Sequence, residues 1–363
     1  MNASASSAPT APLPRVPCVI VGVGARTHAG LTPLQVTLAT RAGKMRSHES
    51  HMIDKRGEPM AMCRAPWIAD NVFGWDRYVA LAASSLAMAA HPWLASQRLR
   101  TQTPAPIPLV LATPPRSRED YDPRVAKDLL AKLADDSGVP IDLAKSTMVP
   151  QCRGGGVAAY AQALTLLAQS EVVIVGGVDS YFHPDVLEAL DTGFRLHSLD
   201  AENGFIPGEA AAFTVLARRG SVSGMHLYGQ ILGASVRAEP RPYGNEEPCH
   251  ALGMTAAIKE AVHAVGVTSR RVPWALTDVA NERHRVDEWQ LAFGRCFRAF
   301  TPDVVHDQPL LKTGDVGAAS AALLLVMACV RWQIGAAVGD AVLIGTHSDA
   351  SERGALLASE VPS

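Results

Sequence analysis

The chain has 363 residues, of which 48% are hydrophobic and 19% are charged, and its formal net charge is −2. This composition is typical of a globular protein with a large core, and it excludes a disordered chain. The length suggests about two domains. Because acidic and basic residues nearly balance, the sequence carries no basic footprint for nucleic acid or for an anionic membrane surface.

The ends of the chain and its apolar runs indicate a protein without a membrane span. Residues 1–16 are rich in Ala, Ser and Pro, and they lack the basic start and apolar centre of a signal peptide. We therefore predict a disordered N-terminal lead and a cytoplasmic location. The most apolar run, residues 317–330, is shorter than the ~20 residues that a spanning helix needs. It predicts a buried helix.

Six cysteines are scattered along the chain without the CxxC spacing of zinc or redox sites: Cys18, Cys63, Cys152, Cys249, Cys296 and Cys329. The pattern favours free thiols in a reducing compartment. The glycines of VGVGARTHAG lack the GxGxxG spacing of a dinucleotide fingerprint. We expect no metal and no resident cofactor.

The first half of the fold is predicted over residues 17–222, beginning with the strand PCVIVGVGA. A continuous apolar run that ends in glycines is typical of a strand covered on both faces. The helix that follows has Thr32 as its cap and Pro33 at its first position. Residues 47–67 are predicted as a surface excursion. Further strands are predicted at 108–113, 172–177 and 210–217, and further helices at 78–90, 125–136 and 152–169.

The second half, residues 223–350, repeats this order of elements, and residues 351–363 are predicted as a C-terminal tail. Its strands are predicted at 227–233, 274–279 and 341–345, and its helices at 250–265, 287–297 and 317–332. Strands that alternate with helices imply largely parallel sheets wrapped by helices. The sequence therefore predicts an α/β layered protein.

One stretch, QCRGGGVAAYA at residues 151–161, places a cysteine directly before a helix of small residues. The unpaired N–H groups and the positive dipole end of that helix would favour the thiolate form of Cys152. Arg153, beside it, can stabilise a thiolate, bind phosphate or form a salt bridge.

Four blocks in order resemble the thiolase-like superfamily, in particular its β-ketoacyl synthases. They are VPCVIVGVGARTHAGLTPLQVTLATRAGK, QCRGGGVAAYAQAL with VVIVGGVDS, GFIPGEAAAFTVL and LKTGDVGAASAALLL. The resemblance covers nearly the whole chain after Pro17. It implies a five-layered α-β-α-β-α fold built from two pseudo-symmetric halves, usually assembled as a homodimer.

The resemblance also implies a set of site residues. Condensing enzymes of this family hold an acyl group on a cysteine as a thioester, and two further residues (His/His or His/Asn) assist decarboxylation and steady the enolate. Cys152 falls at the nucleophile position, and Lys312 retains the family's lysine. Asn281 is the best match to the first histidine, and Asp315 holds the second position. An acyl carrier protein or coenzyme A would supply the thioester.

These replacements alter the expected chemistry. Asn281 can donate a hydrogen bond to an oxyanion but cannot exchange protons near pH 7, as histidine can. An ionised Asp315 would repel a forming enolate. Loss of a proton-transfer group costs ~10²–10⁴-fold in rate. Residues 345–349, GTHSD, also replace the family's loop of glycine and phenylalanine. We therefore do not expect decarboxylative condensation.

Two functions stay open at this stage. In the first, Cys152 accepts an acyl group from a thioester, and Asp315 orients or deprotonates an incoming hydroxyl or amine. In the second, Cys152 is an inert buried thiol, and the chain is an inactive thiolase-fold scaffold or accessory protein. Such a protein would bind a partner, as chain-length factors do, within a homodimer or a heterodimer with a homologue.

Charged residues near the candidate site have structural interpretations as well. His284 can substitute for a lost histidine or can belong to a charged surface. Glu209 is expected to hold a loop by accepting backbone N–H groups. An ion-pair network that fixes the helix of Trp289 is predicted from Asp278, Glu282, Arg285 and Glu288.

Overall fold

The structure, a computed structural model, describes residues 18–43, 47–101, 103–263 and 271–362. The predicted N-terminal lead, residues 1–16, lies outside the described residues. The strands, in chain order, are β1 Cys18–Thr27, β2 His48–Ile53, β3 Pro59–Met62, β4 Leu109–Ala112, β5 Thr147–Val149, β6 Val172–Ser180, β7 Glu209–Arg218, β8 Gly229–Ala238, β9 Val272–Thr277, β10 Phe300–Asp307, β11 Ala341–His347 and β12 Glu352–Ser359.

The α-helices, in chain order, are α1 Pro33–Arg41, α2 Gly74–Arg98, α3 Pro123–Ser137, α4 Cys152–Leu166, α5 Pro184–Thr192, α6 Leu252–His263, α7 Arg283–Cys296, α8 Leu310–Thr313 and α9 Ser320–Gln333. Helix α1 begins as its sequence predicts, because the Thr32 side chain accepts a hydrogen bond from the backbone N–H of Gln35 at 3.3 Å. Pro33 occupies the first helical turn, where no N–H is needed.

The sheet contains the same five-stranded unit twice. Its strand order is β5-β4-β6-β7-β1-β8-β12-β11-β9-β10. In each half the first strand lies beside the fifth, followed by the fourth, the second and the third. The directions match as well, since β4 is parallel to β5 and β6 while β9 is parallel to β10 and β11. The halves meet where Cys18–Ile20 pair with residues 229–231.

Helices separate the two halves and cover their outer faces. Helices α4 and α9 contact strands of both halves and form the central layer. Helices α2 and α3 cover the first half, and α6 and α7 cover the second. The result is the five-layered α-β-α-β-α arrangement, which confirms the predicted fold class and its pseudo-symmetric halves.

Helix α9 is buried along nearly its whole length, as its apolar sequence predicts. Among the described residues, one helix, α2, is long and apolar enough to cross a membrane. Half of its apolar window is buried within the protein, where the helix packs on β1 and β7. Core packing accounts for its apolar character.

Three parts of the prediction are corrected by the fold. The predicted tail contains β12, which is buried and pairs with both β8 and β11. This strand was not predicted, because it begins with two charged residues, Glu352 and Arg353. The edge strands β5 and β10 were not predicted, because an edge strand has little of the apolar pattern that marks a central one. The surface excursion forms the β2–β3 hairpin.

Helix α2 approaches β1 so closely that only glycine fits on the strand. A Cβ built on Gly24 would lie 2.0 Å from the carbonyl oxygen of Ser85. We predict that Gly24→Ala lowers the free energy of unfolding by about 1–3 kcal/mol, because the helix backbone must shift. Gly220→Ala is the matched control, since nothing lies within 4 Å of its added Cβ. Urea denaturation of both variants tests this, and equal stabilities would contradict it.

Candidate functional site

Cys152 lies where β5 gives way to α4, in a strained turn. It has φ of +53°, a left-handed conformation that residues other than glycine seldom adopt. Such strain persists only where the surrounding structure imposes it, and it is concentrated at functional sites. Gly156, one turn into the helix, allows the close approach of Ala321 on α9. The packing of the central layer therefore fixes the position of the cysteine.

The environment of Cys152 favours the thiol and not the thiolate. Although the residue is partly exposed, burial of its sulfur raises its pKa to about 12. Arg153 opposes this rise, while the carboxylates of Asp179, Asp349 and Asp315 add to it. The expectation that the helix would yield a thiolate is thus reversed, because desolvation and three nearby carboxylates outweigh the helix end.

Asp315 is fully buried and held by two guanidinium groups. One carboxylate oxygen accepts hydrogen bonds from Arg153 at 3.0 Å and from Arg285 at 2.8 Å. The other accepts the backbone N–H of Gly317 at 2.9 Å. Burial acts to raise the pKa of Asp315, but Arg153 and Arg285 hold it below its ordinary value. This aspartate is ionised, so it has no proton to give, and both of its oxygens already accept hydrogen bonds.

Arg153 forms the salt bridge that was one of its three predicted roles. The buried guanidinium donates to the carbonyl oxygen of His347 at 2.7 Å and to the hydroxyl of Tyr181 at 3.0 Å. It also pairs with the carboxylates of Asp315 and Asp349. With its donors committed in this way, Arg153 is a fixed part of the structure and not a free anion-binding group.

The network continues from Arg285 towards the surface. Arg285 pairs with Glu282 at 2.5 Å, and Glu282 also accepts a bidentate pair from Arg195 at 2.5 and 3.0 Å. Arg195 in turn reaches Asp349 at 3.2 Å. We name this set of residues the arginine network: Arg153, Arg195, Arg285, Glu282, Asp315 and Asp349. It joins residues of the first half to residues of the second.

Asn281 does not lie with Cys152 and Asp315. It is exposed, and its side-chain amide donates to the carbonyl oxygens of Glu202 at 2.6 Å and Gly204 at 3.1 Å. The buried residue that follows β9 is Asp278, three positions earlier. The structure therefore does not bring the predicted Asn281 into contact with Cys152 or Asp315, because the match by residue type did not take account of where the strand ends.

Asp278 and His347 form a buried pair that was not predicted from the sequence. Asp278 accepts hydrogen bonds from the backbone N–H of His347 at 2.7 Å and from its Nδ1 at 2.8 Å. The Nε2 atom of His347 has no hydrogen-bond partner among the described residues. A signal was present, since an acidic residue directly follows β9 and a histidine ends β11, and the ends of neighbouring parallel strands meet.

The other predicted residues lie outside this cluster. Lys312, on α8, is half-buried and has no side-chain partner within the described chain. His284 packs against Tyr243 with ring centroids 4.4 Å apart, and burial lowers its pKa to about 4. Glu209 holds a loop, as predicted, by accepting the N–H of Ala65 at 2.5 Å and pairing with Arg77.

The predicted ion-pair network around α7 is present in part. Arg285 pairs with Glu282 and also donates to the backbone carbonyl of Asp278. Glu288 instead pairs with Arg353 of β12, at 2.6 Å.

Solved structures with the same architecture were found, although the chain matches no family model and no curated protein. A chain from the complex of a type II PKS acyl carrier protein with its ketosynthase bound to the hexaketide, AntDE:AntF, superposes with a TM-score of 0.79 at 13% identity. The match covers 95% of this chain and 100% of that one. The chain has a thiolase-like ketosynthase fold.

Two further structures agree with this ketosynthase-like fold. The ishigamide ketosynthase/chain length factor has a TM-score of 0.73 at 15% identity, with coverage of 96% of this chain and 100% of that one. A ketosynthase from module 6 of the bacillaene synthase of Bacillus subtilis 168 has a TM-score of 0.76 at 11% identity, with coverage of 96% and 72%. At these identities the likeness extends to the fold alone.

Replacing Asp315 tests whether the arginine network stabilises the protein. We predict that Asp315→Asn lowers the free energy of unfolding by about 3–5 kcal/mol at pH 7, because two buried guanidinium groups lose their shared carboxylate. Asp303→Asn, an exposed aspartate without an ion pair among the described residues, is the control. Denaturant titration is the measurement, and equal effects of the two variants would refute a special role for Asp315.

The same comparison has a predicted dependence on pH. The pKa of Asp315 is lowered in the folded protein. Its contribution to the free energy of unfolding is therefore fully present above the pKa of about 4 that it has in the unfolded chain. That contribution is lost as the pH falls through the lower pKa of the folded protein. The difference in stability between wild type and Asp315→Asn should therefore shrink on acidification. A difference that grew at low pH would show that the carboxylate is not held ionised.

The protonated state of Cys152 has its own test. We predict that iodoacetamide modifies Cys152 slowly at pH 7.5 and faster as pH rises towards about 12, because the thiolate is the reactive form. Peptide mass mapping separates it from the other cysteines, and Cys152→Ala removes the signal. Rapid modification at neutral pH, with saturation below pH 8, would mean an activated thiolate instead.

Proposed function

We propose that this protein is a non-catalytic, ketosynthase-like subunit that acts by binding a protein partner, in the manner of a chain-length factor. One observation carries the proposal: Arg153 and Arg285 occupy the carboxylate of Asp315 at the position where the family places a proton-transferring histidine. A cysteine held as the thiol, beside an aspartate that two guanidinium groups keep ionised, lacks the proton transfer at Asp315 that condensation would need there.

Electrostatics supports the same conclusion. A decarboxylative step develops negative charge on an enolate, and stabilising it requires donors aimed at that charge. Around Cys152 the nearby charges are the carboxylates of Asp179, Asp315 and Asp349, and the guanidinium donors of Arg153 are committed to other groups. An anionic intermediate formed here would meet no free donor from these residues.

A partner of related fold is supported by the comparisons and by the sheet. Similar structures include a ketosynthase/chain length factor and a ketosynthase in complex with its acyl carrier protein. Strand β5 lies at the edge of the sheet and pairs on one side with β4. An open edge offers backbone groups for pairing with a second chain. We therefore propose a homodimer or a heterodimer with a homologous subunit, with an acyl carrier protein as a further partner.

The decisive experiment incubates the full chain with acyl-coenzyme A and malonyl-coenzyme A. We expect no acyl adduct on Cys152 by intact mass and no release of carbon dioxide, while native mass spectrometry of protein from its own host finds a stoichiometric partner or a dimer. A monomer without a partner, or an adduct that Cys152→Ala removes, would overturn the proposal.

Acyl transfer through Cys152 is the second candidate, and the strained φ of that residue favours it. The two functions differ in one readout. An adduct that forms on the wild type and passes to a hydroxyl or amine acceptor supports transfer, whereas persistence of the free thiol supports the non-catalytic subunit.

A further inference from the structure

A cleft of about 290 Å³ opens on the second half, and Cys152 is not among the residues that line it. The loop of residues 242–249 forms one wall, with Tyr243 and Cys249 among its members. Helix α7 forms the other wall with His284 and Glu288. These two helix residues are four positions apart, so they project from the same face of α7.

Cys249 and Glu288, which line this cleft, lie with the neighbouring Glu239 and bring oxygen and sulfur donors together. One ligand atom each from Glu239, Cys249 and Glu288 lies within 4.8 Å of the others. Glu239 follows the end of β8, Cys249 precedes α6, and Glu288 belongs to α7. Three separate elements thus converge on one point, and His284 lines the same cleft.

The two carboxylates are buried and incompletely compensated. Glu239 is 2% exposed and Glu288 is 3% exposed. One guanidinium, that of Arg353, faces them, and it donates to Oε1 of Glu288 at 2.6 Å. Two carboxylates against one cation leave this group of side chains with a net charge of −1, and buried charges of this kind require a partner.

The second oxygen of Glu288 identifies where that partner binds. No hydrogen bond from the described residues reaches Oε2 of Glu288, although this side chain is nearly fully buried and lines the cleft. Glu239 accepts the backbone N–H of Gly253 at 2.8 Å, and no cationic side chain of the described chain pairs with it. The free oxygen faces a space that a cation can enter from solvent.

We propose that Glu239, Cys249 and Glu288 bind a divalent metal ion of the zinc class. A thiolate together with carboxylate oxygens suits Zn²⁺, whereas Mg²⁺ and Ca²⁺ prefer oxygen donors alone. On binding, the Cys249 thiol forms a bond to the metal and releases its proton to solvent.

The test uses the full chain, freed of metal by a chelator and titrated with Zn²⁺ alone. We expect one equivalent to bind by calorimetry, with Cys249 protected from alkylation and with a thiolate-to-metal absorption band when Co²⁺ replaces Zn²⁺. Cys249→Ser should weaken binding by at least about tenfold and abolish the band. Glu246→Gln, an exposed carboxylate on the rim of the same cleft, is the matched control and should bind as the wild type does.

Glu239→Gln gives a second variant at a separate element, and circular dichroism checks that both variants fold. A dissociation constant above about 1 mM for Zn²⁺ and the wild type would overturn the proposal. Binding that Cys249→Ser and Glu239→Gln both leave unchanged would overturn it equally, because the metal would then lie elsewhere. Neither result depends on whether the protein is catalytic.

Discussion

The buried pairing of Asp315 with Arg153 and Arg285 is the interaction on which the interpretation of this protein depends. It places a charge at the centre of the molecule and surrounds it with partners from both halves of the fold. Breaking one side of such a pair leaves an uncompensated buried charge, which is far more costly than the pair itself is stabilising. In this protein the Asp315 carboxylate thus connects the two halves of the fold.

The surroundings of Cys152 combine a strained backbone turn with a sulfur that is held as the thiol. The packing of α4 between the two sheets imposes the left-handed turn, because small residues on α4 approach α9 closely. The turn is therefore a property of the architecture. The protonation of the sulfur depends instead on its surroundings, where burial, together with nearby carboxylates, raises the pKa and favours the thiol. A fold can keep the geometry of a nucleophile after the surrounding groups have stopped activating it.

The architecture was accessible from the sequence to a large extent. Apolar runs, glycines at strand ends and an apolar helix at residues 317–330 gave the central strands and the buried α9, since burial on all sides leaves a strong local pattern. Strand β12 was missed because Glu352 and Arg353 begin it, and the burial of Arg353 is made possible by Glu288, a partner distant in sequence. The edge strands β5 and β10 were missed because the sheet buries little of their surface, so they lack the apolar pattern of a central strand.

The candidate site likewise has features that the sequence predicts and features that depend on the tertiary structure. The sequence by itself determined the fold class and the cysteine at the start of α4, because each is a matter of residue type within a local pattern. Only the tertiary structure decided that Asp315 is bound by Arg153 and Arg285, that Asn281 is outside the site, and that Asp278 is inside it. The charge state of a buried group depends on partners brought together from distant parts of the chain, and no local pattern records which partners these are.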